Sequence, residues 1–554
     1  MKTLSKTEIE NIETENFIES EIKKDMINYN LDHIVTRFPP EPNGFMHIGH
    51  LKAVTINFLM PEKFGGYTNL RFDDTNPSKE DIVYVDGWQE DIKWMGFEWK
   101  NLVFASDFYD KMYDVAVGLI KKGLAYVDDL SAEEINSYRG TFTEPGKNSP
   151  YRDRSVNENL ELFENMKLGK YADGEKCLRA KIDMSSPNIN MRDPVIYRIV
   201  HKEHYRQGDK WCIYPLYDFA HPLEDIMENV THSLCSNDFE DHRPLYDWVV
   251  DNSGLVNSVK PRQIEFVRTN ITGTITGKRY LRKLVEMGKV SGWDDPRFPT
   301  VRGMRARGYT PQSLKNFISK IGIAGANVDK SLLESCVRDD YNKISTRVMA
   351  VLDPLKVIIT NYSGEEVLEV ENNPNDSNAG THKVSFSNEI YIEKEDFMED
   401  APSKFFRLKP EGVVRLKGAY IIKCDKVVKD VDGNIDHLEC SYFENSRSGH
   451  DESGVKVKGT IHWVNAKDCI DVQINTFGTL LKEGAVFDGE NLEEVFNEKS
   501  LKVISAKAEK YLLSCNQFDR FQFVRKGYFY LIQTNGGLVF NEVVSLKDNF
   551  KVGN

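Results

Sequence analysis

The segment 36–50, Thr-Arg-Phe-Pro-Pro-Glu-Pro-Asn-Gly-Phe-Met-His-Ile-Gly-His, constrains the fold of this chain more than any other stretch. Its three prolines and Gly44 exclude regular structure and require a fixed turn. Residues 32–38 carry branched apolar side chains that predict a buried strand. Apolar residues then recur at helical spacing from His47 until Gly66, and residues 68–72 predict a second strand. A strand, turn, helix and strand in this order predict a βαβ unit with a parallel sheet.

The start of the predicted helix has the properties of an anion-binding site. A helix N-terminus presents unpaired N–H groups and the positive end of a dipole. His47 and His50 are three residues apart on its first turn and can donate to phosphate oxygens, while Gly49 lets a flat group approach the backbone. The pattern indicates nucleotide binding without a P-loop. The alternative, that two histidines only cap and pack a helix, is weakened by the preceding Pro-Pro-Glu-Pro-Asn-Gly run.

These residues resemble the first signature of class I aminoacyl-tRNA synthetases, in the glutamyl/glutaminyl branch. The similarity runs from residue 30 to the C-terminus, and the further motifs follow in the order typical of the glutaminyl members. These motifs are Leu70-Arg-Phe-Asp-Asp-Thr-Asn-Pro77, Arg139-Gly-Thr141, Pro150-Tyr-Arg-Asp-Arg154, Tyr214-Pro-Leu-Tyr-Asp-Phe219, Thr231-His-Ser-Leu-Cys235 and Gly292-Trp-Asp-Asp-Pro-Arg297.

The resemblance implies an α/β Rossmann-like catalytic domain with an α+β insertion and a helical domain, followed by all-β C-terminal barrels. Short alternating apolar runs separated by turn residues predict β structure after residue 347, with strands over 357–360, 389–392, 413–416, 419–423, 455–463, 471–474 and 527–531. Helical spacing of apolar residues predicts helices over 281–287 and 311–321. The expected domains are an N-terminal helical extension (1–30), the catalytic domain (31–107 and 214–268), an inserted domain that binds the tRNA acceptor end (108–213), a helical domain with the second signature loop (269–346), and two β-barrel anticodon-binding domains (347–554).

Length and composition exclude several classes of protein. A chain of 554 residues is too long for one core and predicts about three to five folded units. It contains no run of about 18 apolar residues and no apolar segment typical of a signal peptide, so we expect no membrane association. The eight cysteines lack any C-x-x-C pair, which predicts reduced thiols in the cytoplasm and no zinc site.

The net charge of −14 conceals a local basic segment. Residues 301–350 hold nine Lys and Arg residues against four acidic ones. Because phosphate contacts need only one basic face, this segment is compatible with a specific polyanionic partner. A solvated face without a partner is the alternative for such a cluster considered alone.

The resemblance implies ATP as a substrate, with Mg²⁺ bound mainly by its phosphates and water. It assigns catalysis to His47, His50 and Lys278, and no metal ligands to the protein. The expected ATP-binding residues are Glu41, Pro42, Asn43, His47, Ile48, Gly49, His50, Lys52, Ala53, Ser236, Arg268, Thr269, Thr276, Gly277 and Lys278.

The second signature departs from the family pattern. The family has Met-Ser-Lys-Arg or a close variant, whereas this chain has Ile275-Thr-Gly-Lys-Arg279. Lys278 retains the cation that can stabilise charge as pyrophosphate leaves. Gly277 removes a hydroxyl donor and makes the loop more flexible, so we expect slower or less well-defined closure over ATP.

The amino-acid site is expected, from the resemblance, to contain Arg37 at the carboxylate and Asp73 at the amino group, with Tyr217, His221, Cys235 and Gln263. The phenol of Tyr217 can both donate and accept, which suits an amide. Glutamyl members place an arginine near the side-chain carboxylate, and neither Cys235 nor Gln263 supplies one. A glutamate carboxylate would be desolvated and unpaired, so L-glutamine is the expected substrate.

The implied macromolecular partner is the tRNA for glutamine, bound by a monomer. The expected contact residues are Asp241, Arg347, Arg407, Arg415, Lys417 and Gln522. Lys417 replaces an expected arginine and so offers a point charge instead of a bidentate contact. Further candidates for phosphate contacts lie in the inserted segment, namely Arg152, Arg154, Arg179, Lys181 and Arg192.

The expected reaction has two steps, attack of the glutamine carboxylate on the α-phosphate of ATP and transfer from the adenylate to the 2′-hydroxyl of the terminal adenosine. Three alternatives remain open from the sequence. The chain could be a glutamyl enzyme, possibly non-discriminating, or a nucleotidyl-transfer enzyme that acts on a small molecule. It could also be a tRNA-binding paralogue whose catalysis has decayed, which the residues Thr276 and Gly277 suggest.

Overall fold

A computed structural model describes residues 2–256, 259–272 and 275–546 of the chain. The chain forms two compact units. The first comprises Met1–Thr272 and Ile318–Val328, and the second comprises Gly273–Phe317 and Asp329–Asn554. Residues 547–554 of the expected second barrel domain lie outside the described residues.

The first 272 residues alternate helices with short strands. The helices are α1 (Lys6–Asn11), α2 (Phe17–Asn28), α3 (Leu51–Phe64), α4 (Ile82–Trp94), α5 (Tyr109–Lys121), α6 (Ala132–Arg139), α7 (Val156–Lys167), α8 (Tyr217–Met227) and α9 (Arg243–Ser253). The strands are β1 (Ile34–Phe38), β2 (Gly66–Phe72), β3 (Leu102–Phe104), β4 (Ala125–Asp128), β5 (Cys177–Ala180), β6 (Val195–Ile199), β7 (Ile213–Pro215), β8 (His232–Ser236), β9 (Arg262–Phe266) and β10 (Asn270–Thr272).

The central sheet confirms the predicted parallel βαβ unit. Strand β2 pairs in parallel with both β1 and β3, and β8 pairs in parallel with β9. The backbone N–H of Thr231 donates to the carbonyl of Val35 at 2.9 Å, which joins the start of β8 to β1. Helix α3 begins at Leu51, later than predicted, because a 3₁₀ turn over Ile48–His50 precedes it. The apolar faces of α1, α2, β1, α3 and β9 share one buried core.

The segment between β3 and β8 is a separate antiparallel structure. Strands β4, β5, β6 and β7 form one sheet, and its core includes apolar residues of α5 and α7. The prediction that Arg179 contacts phosphate was wrong, because its side chain is fully buried against Asp128, with 2.7 Å between Nη1 and Oδ2. Arg192 is also buried and donates to four backbone carbonyls.

The remainder of the chain contains four longer helices and then mainly strands. The helices are α10 (Lys278–Glu286), α11 (Val301–Arg307), α12 (Pro311–Ile321), α13 (Lys330–Ile344) and the short α14 (Leu492–Val495). The strands are β11 (Asn327–Asp329), β12 (Thr346–Val348), β13 (Ala350–Val351), β14 (Pro354–Ile359), β15 (Glu366–Glu371), β16 (Thr381–Phe386), β17 (Glu389–Glu393), β18 (Val413–Leu416), β19 (Ile421–Lys429), β20 (Ile435–Tyr442), β21 (Thr460–Ile461), β22 (Trp463–Asn465), β23 (Ile470–Phe477), β24 (Leu501–Ala508), β25 (Arg520–Phe523), β26 (Gly527–Gln533) and β27 (Leu538–Ser545).

Two seven-stranded, barrel-like sheets form the C-terminal part, as the alternating pattern predicts. Sheet I has the strand order β12-β25-β26-β27-β23-β24-β13, and sheet II the order β21-β18-β19-β20-β14-β17-β22. The chain enters sheet I, builds the whole of sheet II, and then returns to complete sheet I. The prediction of a strand over 455–463 was partly wrong, since residues 455–459 alternate in exposure but form no ladder.

Within the described residues, no helix is long and apolar enough to cross a membrane. In the same part of the chain, no group of three or more His, Cys, Asp or Glu side chains is placed to hold a metal ion.

Candidate active site

The turn after β1 holds its two histidines in a defined orientation. The Nδ1 atom of His47 accepts from the backbone N–H of Gly49 at 3.1 Å, and Nδ1 of His50 accepts from the N–H of His47 at 3.1 Å. The two ring centroids are 3.7 Å apart. Because both Nδ1 atoms accept, each neutral ring carries its proton on Nε2 as a donor. This is the tautomer that can donate to an anionic oxygen.

Two further residues explain why the turn is rigid. The indole N–H of Trp88 donates to the carbonyl of Gly44 at 2.8 Å, and its ring lies edge-on to His50 at 4.9 Å. A Cβ atom on Gly49 would lie 2.9 Å from Cε1 of His47, closer than carbon atoms approach. Glycine at this position therefore allows the His47 ring to fold back over the backbone.

Lys52, expected to bind ATP, is instead anchored within the protein. Its Nζ donates to the carbonyl of Val267 at 2.6 Å and of Ile323 at 2.8 Å, and the side chain is buried. Burial lowers the pKa of Lys52 to about 8. These contacts join the first turn of α3 to the segments beyond β9.

The other expected ATP-binding residues of the first unit lie between β1 and the first turn of α3, at the end of β8, and between β9 and β10. Glu41 is exposed beside the buried Pro42, and the backbone N–H of Asn43 donates to the carbonyl of Glu41 at 2.8 Å. Ile48 is buried and Ala53 packs against the core. Ser236 at the end of β8 and Arg268 after β9 both contact Asp238, and the Thr269 hydroxyl donates to the carbonyl of Gly325 at 2.7 Å.

A buried ion network lies behind the turn, formed by Arg37, Arg71, Glu224, Asp225 and Glu228. Both arginines are fully buried. Oδ1 of Asp225 lies 3.1 Å from Nε of Arg37 and 2.6 Å from Nη2 of Arg71, while Arg71 also bonds to Glu228. Nη1 of Arg71 lies 3.2 Å from Oε2 of Glu224. The two guanidinium charges are thus compensated inside the protein.

The protonation of this network follows from burial and charge. Burial raises the pKa of Glu224 well above its usual value against the opposing charge of Arg71, so this carboxyl is neutral. Burial also opposes ionisation of Asp225, but the guanidinium groups of Arg37 and Arg71 outweigh it and hold the pKa of Asp225 low. The charges of Arg37 and Arg71 are then balanced by the carboxylates of Asp225 and Glu228, as a buried network requires.

His221 lies between the two arginines. Its Nε2 is 2.9 Å from Nη2 of Arg37, and its Nδ1 is 3.2 Å from Nη1 of Arg71. An imidazolium here would set two N–H groups against two guanidiniums. Burial, with these cations, lowers the pKa of His221 well below its usual value against the pull of Asp225, so the ring is neutral.

The structure brings the expected amino-acid residues together around Tyr217. The Tyr217 ring stacks on His221 with centroids 4.9 Å apart, and the charged groups of Arg37 and Asp73 are near enough to act on its phenol. Cys235 is also close, as a neutral thiol, because burial raises the pKa of Cys235 to about 12. Every guanidinium nitrogen of Arg37 already has a protein partner. The expected contact of Arg37 with a substrate carboxylate would therefore replace one of them.

Gln263 contributes from the neighbouring strand. Its Nε2 donates to the carbonyl of Phe239 at 3.1 Å and to Oε1 of Glu265 at 2.8 Å. Glu265 also forms an ion pair with Arg243, so that arginine is neutralised. The Phe239 ring lies 5.2 Å from the Tyr217 ring, which links Gln263 to the rest of the group.

Asp73 follows β2 at the carboxyl end of the parallel sheet. Its Oδ1 accepts from the hydroxyl of Thr75 at 2.9 Å. Burial raises the pKa of Asp73 to about 6, and the charges of Glu41 and Asp74 add to this increase. A cationic group that binds here would restore the carboxylate form.

The second signature begins α10 in the second unit. Gly277 precedes the helix and Lys278 is its first residue, so Thr276 and Gly277 form the approach to the helix. A Cβ atom at residue 277 would lie 2.8 Å from Cδ2 of Tyr280. Tyr280 packs against a core beside Phe487, so a serine side chain at residue 277 would require the Tyr280 ring to shift.

The expected tRNA contacts have unequal exposure. Arg347 and Gln522 are neighbours in the register of β12 and β25, but Arg347 is buried and donates to Oδ1 of Asn342 at 2.6 Å. Arg415 is half-buried and paired with Asp451, whereas Lys417 is exposed. Arg407 lies 3.4 Å from Asp396, and Asp241 is exposed, with its carbonyl bound by Asn188 and Asn190.

Two features of the site were not predicted from the sequence, Trp88 and the acidic partners of the two buried arginines. A signal for the latter was present, because His221 and Asp225, like Glu224 and Glu228, are four apart on an otherwise apolar helix. Such spacing places charged groups on one face, and α8 buries that face. No comparable pattern marks Trp88.

Comparison with known proteins follows the same division of the chain. Residues 33–343 match the family model described as tRNA synthetases class I (E and Q), catalytic domain. Residues 345–443 and 460–532 match the two models described as the anti-codon binding domain of the same class.

Several curated relatives are named glutamine–tRNA ligase. The one from Clostridium kluyveri is 52% identical over 554 residues, covering 98% of this chain and 99% of the relative. The one from Clostridium perfringens is 53% identical, and the match covers 97% of this chain and 98% of the relative. The one from Rhodopirellula baltica is 51% identical, and the match covers 97% of this chain and 90% of the relative. A solved glutamate tRNA ligase from Elizabethkingia meningosepticum is 17% identical, with a TM-score of 0.41 over 56% of this chain and 70% of that one, a likeness too weak to argue from.

Proposed function

This chain belongs to the class I tRNA synthetases of the E and Q group, and we propose that it joins L-glutamine to the tRNA for glutamine through an adenylate. The reaction uses ATP and releases AMP and pyrophosphate. The observation that carries the choice of glutamine is the charge balance of the amino-acid site, in which each nearby arginine already has a carboxylate partner.

The first step is activation of the amino acid. His47 and His50 present Nε2 donors at the turn after β1 and bind oxygens of the nucleotide, while Gly49 leaves room for its flat ribose and base. Lys278 stabilises the charge that develops as pyrophosphate leaves. The remaining nucleotide contacts come from the loops that carry Ser236, Arg268 and Thr276. No side chain forms a covalent intermediate, so catalysis consists of positioning and charge stabilisation.

The substrate ammonium group binds the Asp73 carboxylate, and the side-chain amide meets neutral groups. Tyr217 can accept from the amide N–H₂ or donate to its carbonyl, and Cys235 and Gln263 add no charge. A glutamate side chain would place a second carboxylate where no uncompensated cation is present, at a cost of several kcal/mol. The same argument favours glutamine over the glutamyl alternative.

The second step transfers glutamine from the adenylate to the 2′-hydroxyl of the terminal tRNA adenosine. We assign the antiparallel segment between β3 and β8 to the acceptor end and sheets I and II to the anticodon. Asp241 follows β8, where its carbonyl accepts from Asn188 and Asn190 of that antiparallel segment, and we assign it to the acceptor end as well. The proposed anticodon contacts are Arg347, Arg407, Arg415, Lys417 and Gln522. The descriptions of the matched family models support the assignment of the two sheets.

Mg²⁺ enters this proposal as the partner of ATP. It prefers phosphate and water oxygens to a cage of protein ligands. The exposed carboxylate of Glu41 and the neighbouring Asp73 are oxygen donors that are compatible with a hydrated ion, and we assign them no direct ligand bond.

Aminoacylation assays test the proposal. Transcripts of the tRNAs for glutamine and glutamate are incubated with labelled glutamine or glutamate, ATP and Mg²⁺. We expect glutamine on the glutamine tRNA alone. Loading of glutamate would overturn the argument from charge balance and identify a glutamyl enzyme. Binding of tRNA without loading of either amino acid would identify a paralogue that has lost catalysis.

A further inference from the structure

One side of sheet I carries planar side chains in addition to Arg347 and Gln522, the two residues of this sheet that are proposed to contact the anticodon. Along β25, Arg520 and Gln522 alternate with the core residues Phe521 and Phe523, so they share the outer side. The register sets Arg520 opposite Tyr530 and Gln522 opposite Tyr528. We call these four residues the outer face of sheet I; Tyr528 is buried there against Tyr341 of α13, and the other three are partly exposed.

Phe518, immediately before β25, has an unusual backbone conformation. Its φ of +76° lies in the left-handed region, which aromatic residues rarely adopt. The other non-glycine residues with positive φ in the described chain are Asn30, Asp193, Asn229, Glu411 and Arg525. The loop is nevertheless well held, because the N–H of Phe518 donates to the carbonyl of Leu531 at 2.7 Å and Gln517 Nε2 to that of Ile532 at 2.6 Å.

The result of this conformation is a stack of planar groups at the surface. The Phe518 ring lies nearly parallel to the Tyr530 ring, at 25° with centroids 5.8 Å apart. The Arg520 guanidinium lies 5.3 Å from the Tyr530 centroid. Phe518 remains 55% exposed, so an apolar ring is held in place and open to solvent.

Tyr530 is firmly supported from behind. A Cβ atom on Gly308 would lie 2.7 Å from Cβ of Tyr530, so the glycine permits close contact between α11 and this strand. Burial raises the pKa of Tyr530, and the nearby positive charges of Arg520 and Arg305 oppose this increase. An exposed aromatic stack beside cations has the composition of a platform for single-stranded nucleic acid.

We propose that Phe518 stacks on an unpaired base of the tRNA anticodon loop and so extends the outer face of sheet I. Phe518 lies within residues 460–532, which match an anti-codon binding model, and this location selects the loop over other unpaired nucleotides. The proposal rests on the proposed function. Because every base has a flat face, this contact adds affinity without reading sequence. Gln522, in contrast, can read a base edge.

The test measures the tRNA dissociation constant and the KM for tRNA of Phe518→Asn and Phe518→Tyr. Asparagine tolerates the left-handed backbone but lacks a ring, whereas tyrosine keeps the ring. We expect Phe518→Asn to weaken tRNA binding by about 5- to 100-fold with kcat and the thermal midpoint unchanged. Phe518→Tyr should bind as the wild type does. The matched control is Leu513→Ala, which removes an apolar side chain that is 60% exposed but has no ring, and should leave binding unchanged.

Abasic substitution, at one anticodon-loop position at a time, identifies the stacked base. At that position, removal of the base should weaken tRNA binding to the wild type. The Phe518→Asn variant should bind the abasic and the intact tRNA equally well, because it has no ring to stack on the base. Equal binding of intact tRNA by the wild type and Phe518→Asn would overturn the proposal. So would an abasic effect that is the same in both proteins at every position. Binding is measured without catalysis, so failure of aminoacylation would count against the proposed function alone.

Discussion

The buried ion network of the first unit and the outer face of sheet I differ in how their polar side chains are solvated and paired. In the network, Arg37 and Arg71 are fully buried and each has carboxylate partners. On the outer face, Arg520 and Gln522 are partly exposed, and Phe518 presents more than half of its surface to solvent. The first region compensates its charges internally, while the second keeps groups accessible to a partner.

This difference indicates how each region should respond to substitution. A buried charge that loses its partner carries the full cost of desolvation, so change in the network affects stability and catalysis together. A half-exposed residue is rehydrated when its partner is absent, so change on the outer face affects binding alone.

The largest effect is expected for Asp225→Asn. This substitution leaves Arg37 and Arg71 with one carboxylate fewer in a fully buried site, and we expect the free energy of unfolding to fall by about 3–5 kcal/mol. Urea unfolding measures this change. The control is Asp238→Asn, which breaks the exposed pair with Arg268 and should cost about 1 kcal/mol or less. Similar losses in both variants would remove the contrast between buried and exposed pairs.

Removal of the proposed catalytic groups should follow next in size. His47→Ala removes the acceptor for Gly49 and a donor to the nucleotide, and Lys278→Ala removes the cation for pyrophosphate. We expect either change to lower kcat for aminoacylation by about 10²–10³-fold. The tRNA dissociation constant, measured by filter binding, should stay within about twofold of the wild type. Loss of tRNA binding together with catalysis would contradict these roles.

The pH dependence of glutamine use tests Asp73. Burial raises the pKa of Asp73 to about 6, and only its carboxylate form can bind an ammonium group. We therefore expect kcat/KM for glutamine to rise as the pH rises through about 6 and to level off above it. Asp73→Asn should lower kcat/KM by about 10²-fold and flatten this rise. Because Asp74 titrates near the same pH, a rise that persists in Asp73→Asn would assign it to Asp74 instead.

The smallest effect is expected for Lys417→Arg. Lys417 is exposed on the turn after β18, where a guanidinium could form two parallel hydrogen bonds instead of one point-charge contact. We expect tRNA affinity to increase by about two- to tenfold, with the thermal midpoint unchanged. Arg415→Ala provides the opposite change on the same strand. A fall in affinity for Lys417→Arg would mean that this position does not face RNA.

The parts of the fold that the sequence predicted well are those set by neighbouring residues. The prolines and Gly44 define the turn, and helical spacing predicted the segment Pro311–Ile321 without error. Alternation of apolar residues predicted strand β18 at its observed bounds. Strands β20, β24 and β27 were not predicted, because partners distant in the chain determine which extended segments form ladders.

The candidate site divides in the same way. The sequence by itself determined the residue types of the nucleotide turn, the family of the chain and the absence of an arginine at Cys235 and Gln263, because motif and order along the chain suffice for these. Only the tertiary structure decided that Lys52 is anchored to carbonyls, that Arg179 is buried and that Asp225 compensates two arginines. Solvation and pairing depend on groups far apart in the chain, so they arise only when the chain has folded.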